Sequence, residues 1–202
     1  MNILLLASTV VLVLVLAYAI KKQNKLKKAN DKSFWERERQ SNSVRKKSLD
    51  TLDYIHIPLD KLPMDVMAED SRIMEYQYLV RELSAQSIVN FTGYTNTDLK
   101  LEYGTANITA LSEYDQNYTL LVRTLQEWAD ILCEADYTAE ARTLMEYAIS
   151  IDTDVSRTYY KLASIYAASG EFSQIDELIK RAENLRSLNK KTIVRTLQES
   201  YR

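Results

Sequence analysis

The hydrophobic pattern of the chain begins with an unbroken apolar run near the N-terminus. Residues 3–20 have the sequence ILLLASTVVLVLVLAYAI and contain no ionisable side chain. A helix of that length spans about 27 Å, close to the thickness of the hydrocarbon core of a bilayer. Five lysines follow between residues 21 and 28. The pattern predicts a transmembrane anchor over residues 1–20, which contacts the lipid bilayer through residues 3–20 and the lysines that follow.

The position of the lysines also predicts the orientation of this anchor. Positive charge lies after the apolar run, so the positive-inside rule places the C-terminal part in the cytoplasm, with one pass through the cell membrane. The alternative is an exported protein with a cleaved signal, because Ala17-Tyr18-Ala19 resembles a cleavage site. A signal peptide carries positive charge before its apolar run, and Met1-Asn2 supplies only the α-amino group. We therefore favour the uncleaved anchor.

Two polar segments separate the anchor from the rest of the chain. Residues 21–48 are rich in lysine and arginine and predict a basic juxtamembrane helical segment. Residues 21–32 are either a helical continuation of the anchor or a solvated tether. Ser33-Phe-Trp-Glu36 then fits a capping box, which predicts a short charged helix at about 34–47. Residues 49–66 hold both prolines of the chain and predict an extended arm. Its isoleucines and leucine alternate with polar residues, so we expect one apolar side, packed on its own domain.

From about residue 70 onward the apolar positions recur at intervals of three and four, which is typical of helices. The chain can be aligned with itself by shifting it by the number of residues that separates Leu125 from Tyr159. At this repeat offset, apolar or small positions in one pair of helices coincide with those in the next pair. The pairs at this repeat offset are Leu125 with Tyr159, Trp128 with Leu162, Ala129 with Ala163, Leu132 with Tyr166, Ala141 with Ile175, Met145 with Ile179, and Ala148 with Ala182. The chain from residue 67 to residue 202 is therefore predicted to be an all-α domain built partly of repeats.

This pattern resembles the tetratricopeptide repeat, a pair of helices in which small residues let the two helices approach closely. The resemblance implies an α-solenoid over residues 67–202, with repeats at about 122–155 and 156–189 and a capping helix at 190–202. Ile175 departs from the family, where a small residue is usual, and no proline closes either repeat. The helices between residues 70 and 120, with a short helix near Thr97–Tyr103 and another helical run from about Thr105, are expected to serve as a third unit. Glu171, in the loop between two helices, is expected to be exposed and of little importance for stability.

Composition and charge exclude several classes of function. Residues 21–50 have a net charge of +7 and residues 51–202 a net charge of −9. A domain this acidic does not suit general binding of nucleic acid, whose phosphates repel carboxylates. His56 and Cys133 are the single histidine and cysteine. They lie far apart along the chain and leave no basis for a catalytic triad, a histidine metal site or an internal disulfide. We therefore expect no enzymatic activity, no cofactor and no metal.

The resemblance also implies a partner-binding face. In tetratricopeptide domains the second and sixth positions of the first helix of each repeat line the concave surface. The six residues predicted to bind a partner are Arg123, Arg157, Tyr160, Lys161, Lys191 and Arg195. Four of the cations, from Arg157 to Arg195, are expected to hold an acidic peptide or an acidic helix through charge-assisted hydrogen bonds. Asp130 would repel a terminal carboxylate, so that ligand is not predicted. The competing interpretation is a solvated face whose cations pair with neighbouring carboxylates.

Two functions are consistent with these patterns. The first is a membrane-anchored adaptor that presents a tetratricopeptide-like domain to the cytoplasm and binds a protein or peptide. The second is a structural or assembly subunit of a membrane complex that makes its contacts through the anchor and the arm at residues 49–66. The sequence identifies neither the partner nor the biological process.

Overall fold

The computed structural model describes the backbone of residues 3–201, and the side chains of those residues except 3–11, 14, 26 and 28–30. Over these residues the chain is helical and forms no strand, which confirms the predicted all-α class. The helices are α1 (Ile3–Asn42), α2 (Ser71–Ser84), α3 (Asn96–Tyr103), α4 (Ile108–Glu134), α5 (Thr138–Ser150), α6 (Ser156–Ala168), α7 (Phe172–Asn184) and α8 (Lys190–Tyr201). A 3-10 turn, Thr105–Asn107, precedes α4.

Helix α1 runs without a break from Ile3 to Asn42, so the basic segment predicted at residues 21–48 is helical as far as Asn42. The helix start predicted at Ser33 is therefore wrong. Residues 21–41 contain neither glycine nor proline and include many strong helix formers, so nothing ends the helix before Ser33. Among the described residues, no helix has the length and apolar character that a membrane crossing requires. The predicted anchor falls partly on residues 3–11 and 14, whose side chains lie outside the described set.

The helices divide between two compact units, the first of which comprises residues 1–47 and 96–107. In this unit α1 contacts α3 largely through polar groups. The Lys100 ammonium donates to the Glu38 carboxylate at 2.5 Å and to the Asn42 amide oxygen at 3.1 Å. Thr97 donates its hydroxyl to the same carboxylate at 2.7 Å. The hydrogen bonds from these donors hold the pKa of Glu38 below its usual value, and the one from Lys100 has the largest effect.

The second unit comprises residues 48–95 and 108–202 and contains the main hydrophobic core. Helix α4 packs against α2 and α5, while α6 packs against α5, α7 and α8. All the residues that the repeat offset pairs are buried: Leu125, Trp128, Ala129, Leu132, Ala141, Met145, Ala148, Tyr159, Leu162, Ala163, Tyr166, Ile175, Ile179 and Ala182. The periodic positions of the sequence therefore form the packed interior of this unit.

The helix bounds repeat with the same offset as the sequence. Helix α5 covers residues 138–150 and α7 covers 172–184, so both ends shift by the repeat offset. The same offset separates the last residues of α4 and α6, Glu134 and Ala168, and the first residues of α6 and α8, Ser156 and Lys190. Helix α4 differs because it begins at Ile108, well before the predicted repeat start at about 122. Its earlier turns bury Leu111 and Tyr118, so the apolar stripe continues in the N-terminal direction.

The turns between the paired helices repeat as well. The Tyr137 amide donates to the Leu132 carbonyl at 2.8 Å, and the Glu171 amide donates to the Tyr166 carbonyl at 2.8 Å. In both turns, the wider backbone bond of a Schellman motif closes the C-terminus of the first helix. This motif needs one residue in the left-handed conformation. That residue is Asp136 in the first turn, with φ 66°, and Gly170 in the second turn, with φ 73°.

We expect Asp136→Gly to raise the free energy of unfolding by about 0.5–1 kcal/mol, because an L-residue in this conformation is strained and glycine is not. The carboxylate of Asp136 is exposed, so little is lost with it. Urea unfolding of the full chain measures the change. Ala139→Gly, inside α5, is the matched control and should cost about 1 kcal/mol. Destabilisation by both substitutions would contradict the prediction.

The segment at residues 49–66 contains no helix. Ile55, Ile57 and Leu59 are partly buried against the core of the second unit, and Leu62 is fully buried there. The Ile55 amide also donates to the Ile88 carbonyl at 2.9 Å. The apolar side of the arm is therefore in contact with its own unit.

Candidate partner-binding face

The six residues predicted to bind a partner lie on three helices of the second unit. Arg123 is on α4, Lys191 and Arg195 are on α8, and the remaining three are on α6. The cations on α4 and α8 are exposed, as is Arg157, whereas Tyr160 and Lys161 are half-buried. Their charges are not equally available, because several have partners within the unit.

A buried carboxylate on α4 binds both cations of α6. Asp130 lies 3.1 Å from the Arg157 Nε and 2.5 Å from the Lys161 Nζ, and only 12% of its side chain is exposed. The Gln126 amide donates to the same carboxylate at 2.8 Å, and the Gln126 oxygen accepts the Thr158 hydroxyl at 2.5 Å. This network, which we call the Asp130 cluster, joins α4 to α6.

The Asp130 cluster changes the expected role of the two α6 cations. The Asp130 carboxylate is fixed on a helix and desolvated, so an incoming carboxylate has to compete with it for Arg157 and Lys161. On α8, Lys191 makes no ion pair with any residue that the structure describes. Among the described residues, the one ion pair of Arg195 is with Glu199, at 3.8 Å, and both side chains are about 70% exposed. The cations of α8 are therefore the more accessible ones.

Arg123 is paired within its own helix. Its Nε donates to the Glu127 carboxylate at 2.9 Å, and the Tyr76 hydroxyl of α2 donates to the other oxygen of that carboxylate at 3.3 Å. Burial and the nearby Glu127 raise the pKa of Tyr76, so its hydroxyl stays protonated and remains a donor. Glu127 thus connects α2 to α4 while it offsets the charge of Arg123.

A second polar cluster, which the sequence did not indicate, lies between α5, α6 and α7. Arg142 donates to both oxygens of Glu171, at 2.6 and 3.0 Å, and to Glu146 at 2.7 Å. Its guanidinium lies 4.8 Å from the centre of the Tyr166 ring, and the Tyr166 hydroxyl donates to Glu146 at 2.9 Å. Glu171 is therefore not the unimportant surface residue predicted from the sequence.

Three residues of this second cluster, Arg142, Glu146 and Tyr166, line a cavity of about 290 Å³. The lining residues are Arg142, Glu146, Ile149, Leu162, Tyr166, Gln174, Leu178 and Arg181. Hydrogen bonds to Arg142 hold the pKa of Glu171 below its usual value, while burial raises the pKa of Tyr166. A carboxylate that stays ionised and a phenol that stays protonated suit a structural ion pair rather than proton transfer.

We expect Arg142→Met to destabilise the protein at neutral pH and much less in acid. The folded-state pKa of Glu171 is depressed, so its pairing stabilises the fold above the unfolded pKa, near 4.5, and that stability is lost as the pH falls through the folded-state value. Urea midpoints of both proteins at a series of pH values measure the difference. A constant difference at every pH would contradict this role of the ion pair.

Two further observations concern metal-binding groups and the single thiol. No group of three or more His, Cys, Asp or Glu side chains is placed to hold a metal ion in this part of the chain. Burial raises the pKa of the half-buried Cys133 thiol, which disfavours the reactive thiolate. The polar clusters connect helices of the second unit to one another.

Comparison of the chain with protein-family models, with curated proteins and with solved structures finds no match. The geometry of the helices and of the face that they form is therefore the basis for a functional proposal.

Proposed function

We propose that the chain is a membrane-anchored protein-interaction adaptor that presents a tetratricopeptide-like helical domain to the cytoplasm. The observation that carries this proposal is the regular repetition in helix bounds, buried positions and turn geometry between α4 and α8. Repeating helix pairs stack into extended surfaces, and proteins of that architecture generally bind other proteins or peptides. The apolar run at residues 3–20 and the lysines after it support the anchor.

The proposed ligand is an acidic peptide or an acidic helix. Lys191 and Arg195 on α8 supply the first contacts, because neither is engaged by a close carboxylate. Arg157 and Lys161 on α6 add to them when a ligand competes with Asp130. Exposed cations recognise carboxylates through charge-assisted hydrogen bonds. This placement supports an adaptor in which the Asp130 carboxylate lowers the affinity for the acidic ligand.

The alternative function is an assembly subunit of a membrane complex. The exposed aromatic pair on α1 favours it, since Phe34 and Trp35 are 55% and 63% exposed and exposed aromatic residues often mark contact surfaces. The arm at residues 49–66 is a weaker candidate than α1, because its apolar side chains pack on their own unit. In this alternative, α1 makes the contacts.

Charge reversal on α8 separates the two functions. In membranes that contain the full chain with a photo-crosslinker at Thr192, an adaptor should give a defined adduct that Lys191→Glu/Arg195→Glu removes. Lys61→Glu/Arg81→Glu changes the charge equally at exposed sites elsewhere in the unit and should leave the adduct unchanged. An adduct insensitive to α8 reversal would contradict the adaptor.

The orientation is tested independently. Leu188 is fully exposed, so Leu188→Cys offers a reporter thiol. In intact cells it should not react with a membrane-impermeant reagent, and it should react once the cells are permeabilised. Labelling in intact cells would contradict the cytoplasmic placement.

A further inference from the structure

One side of α1 carries a row of cations with an aromatic residue among them. Lys21, Lys25, Lys32 and Arg39 lie at positions i, i+4, i+11 and i+18, and Trp35 lies at i+14. Because α1 is one continuous helix, these five residues share a single side of it. All five side chains are exposed. We call this set the basic stripe.

The contacts of α1 within its own unit leave the basic stripe open. Glu38 and Ser41, which bond to residues 96–107, lie on another side of the helix. Within the part of the chain that the structure describes, Lys32 pairs with Glu36 alone, at 3.8 Å, with 79% and 63% of the two side chains exposed, and such a pair contributes little. The other three cations of the stripe make no ion pair with any described residue. Lys28 holds position i+7 of the same register, and its side chain lies outside the described set.

The length of the basic stripe shows what can occupy it, and this step rests on the proposed anchor. If the bilayer ends near residue 20, Lys32 lies about 18 Å and Trp35 about 22 Å further along the helix. The headgroup region is only about 5–8 Å thick on each side, and the Debye length at physiological salt is about 8 Å. Lipid headgroups can therefore reach Lys21 and Lys25. The rest of the stripe extends beyond the headgroups, and we call this part, formed by Lys32, Trp35 and Arg39, the upper stripe.

The upper stripe combines two features of a protein-binding surface. Lys32 and Arg39 lie two helical turns apart, and Trp35 lies between them with 63% of its surface exposed. Tryptophan and arginine are frequent among the residues that dominate binding energy, and complementary charge gives specificity. A second copy of α1 would bring the same cations against this side, so like-charge repulsion disfavours a symmetric pair.

We propose that the upper stripe, formed by Lys32, Trp35 and Arg39, docks an acidic α-helix of a partner protein. Carboxylates seven residues apart on that helix face the two cations, and an apolar residue between them packs on Trp35. This surface is distinct from the α8 cations, because it belongs to the other compact unit.

The test uses the full chain in phosphatidylcholine nanodiscs and a synthetic helical peptide with glutamates seven residues apart around a leucine. Trp35 emission should shift to the blue on binding, because the peptide covers the indole, whereas Trp128 is already buried. Lys32→Glu/Arg39→Glu should weaken binding about tenfold or more. The matched control Lys27→Glu/Lys46→Glu changes the same charge at exposed positions off the stripe and should stay within about threefold.

Two results would overturn the proposal. Equal weakening by the control variant would mean that net charge, and not the stripe, attracts the peptide. A blue shift of Trp35 with phosphatidylserine nanodiscs alone, removed by Lys32→Glu/Arg39→Glu, would make an anionic lipid surface the occupant. Alkaline extraction of the membranes tests the anchor by itself. Release of the chain would contradict the proposed anchor, while the variant comparison would still decide whether the stripe binds the peptide.

Discussion

Replacing Ala163 with leucine should lower the free energy of unfolding by about 2–3 kcal/mol, near the upper range for overpacking a core. Ala163 has no exposed surface and lies on α6, the helix that packs against α5, α7 and α8. A branched side chain at this point forces the backbones apart, because a close-packed interior has no space for three additional carbon atoms. Thermal or urea unfolding of the full chain measures the loss.

Ala168→Leu is the matched control for this substitution. Ala168 is the last residue of the same helix and is exposed, so the identical change should stay within about 0.5 kcal/mol. Glu171→Leu is unsuitable as a control, because Arg142 binds the Glu171 carboxylate through two hydrogen bonds. Similar losses at Ala163 and Ala168 would mean that Ala163 does not mark the closest approach of the helices.

Much of the second unit follows from local pattern. The spacing of the apolar residues from about 125 to 197 is enough to predict α5 to α8, because each helix buries one side against its neighbours. Gly170 marks a helix end for a simple physical reason, since glycine adopts a positive φ without strain. Asp136 occupies the equivalent place in the turn between α4 and α5, and aspartate gives a weaker signal of a positive φ than glycine does.

Local pattern was misleading where longer segments decide the structure. The residues from Ser33 to Glu36 fit a helix start, yet they lie inside α1, because helix-forming residues precede them without a break. The repeat offset alone does not give the start of α4, since it indicates where a unit recurs and not how far its first helix extends, whereas the helical run predicted from about Thr105 agrees with that start. Ile108 begins that helix, and Leu111 is already buried three residues later.

The binding face was predictable as a set of cations but not as a set of available charges. Regular spacing placed Arg157 and Lys161 one turn apart on one helix, as the structure has them. Which carboxylate reaches them depends on how α4 and α6 pack, and Asp130 lies on a different helix from Arg157, far from it along the chain. The pairing of Arg142 with Glu171 likewise joins residues 29 positions apart. Contacts of this kind depend on tertiary geometry, which a single sequence does not specify.

Removing the Asp130 carboxylate should have two opposite effects. Asp130→Ala leaves Lys161 and Gln126 without their shared acceptor, so the free energy of unfolding should fall by about 2 kcal/mol. The same change releases Arg157 and Lys161 toward the binding face. Affinity for an acidic peptide should therefore rise by about fivefold or more, because the ligand no longer competes with an internal carboxylate.

Glu134→Ala is the matched control, since it removes from the same helix an exposed carboxylate that makes no ion pair with any described residue. It should change peptide affinity by less than about twofold if Arg157 and Lys161 are the cations that respond. Calorimetric titration with a glutamate-rich peptide at low salt, together with urea unfolding, measures both quantities for each variant. An Asp130→Ala protein that is less stable but binds the peptide no more tightly would limit the Asp130 cluster to a structural role. Equal gains in affinity from both variants would show that any loss of negative charge on α4 suffices, and that the α6 cations bind no ligand of their own.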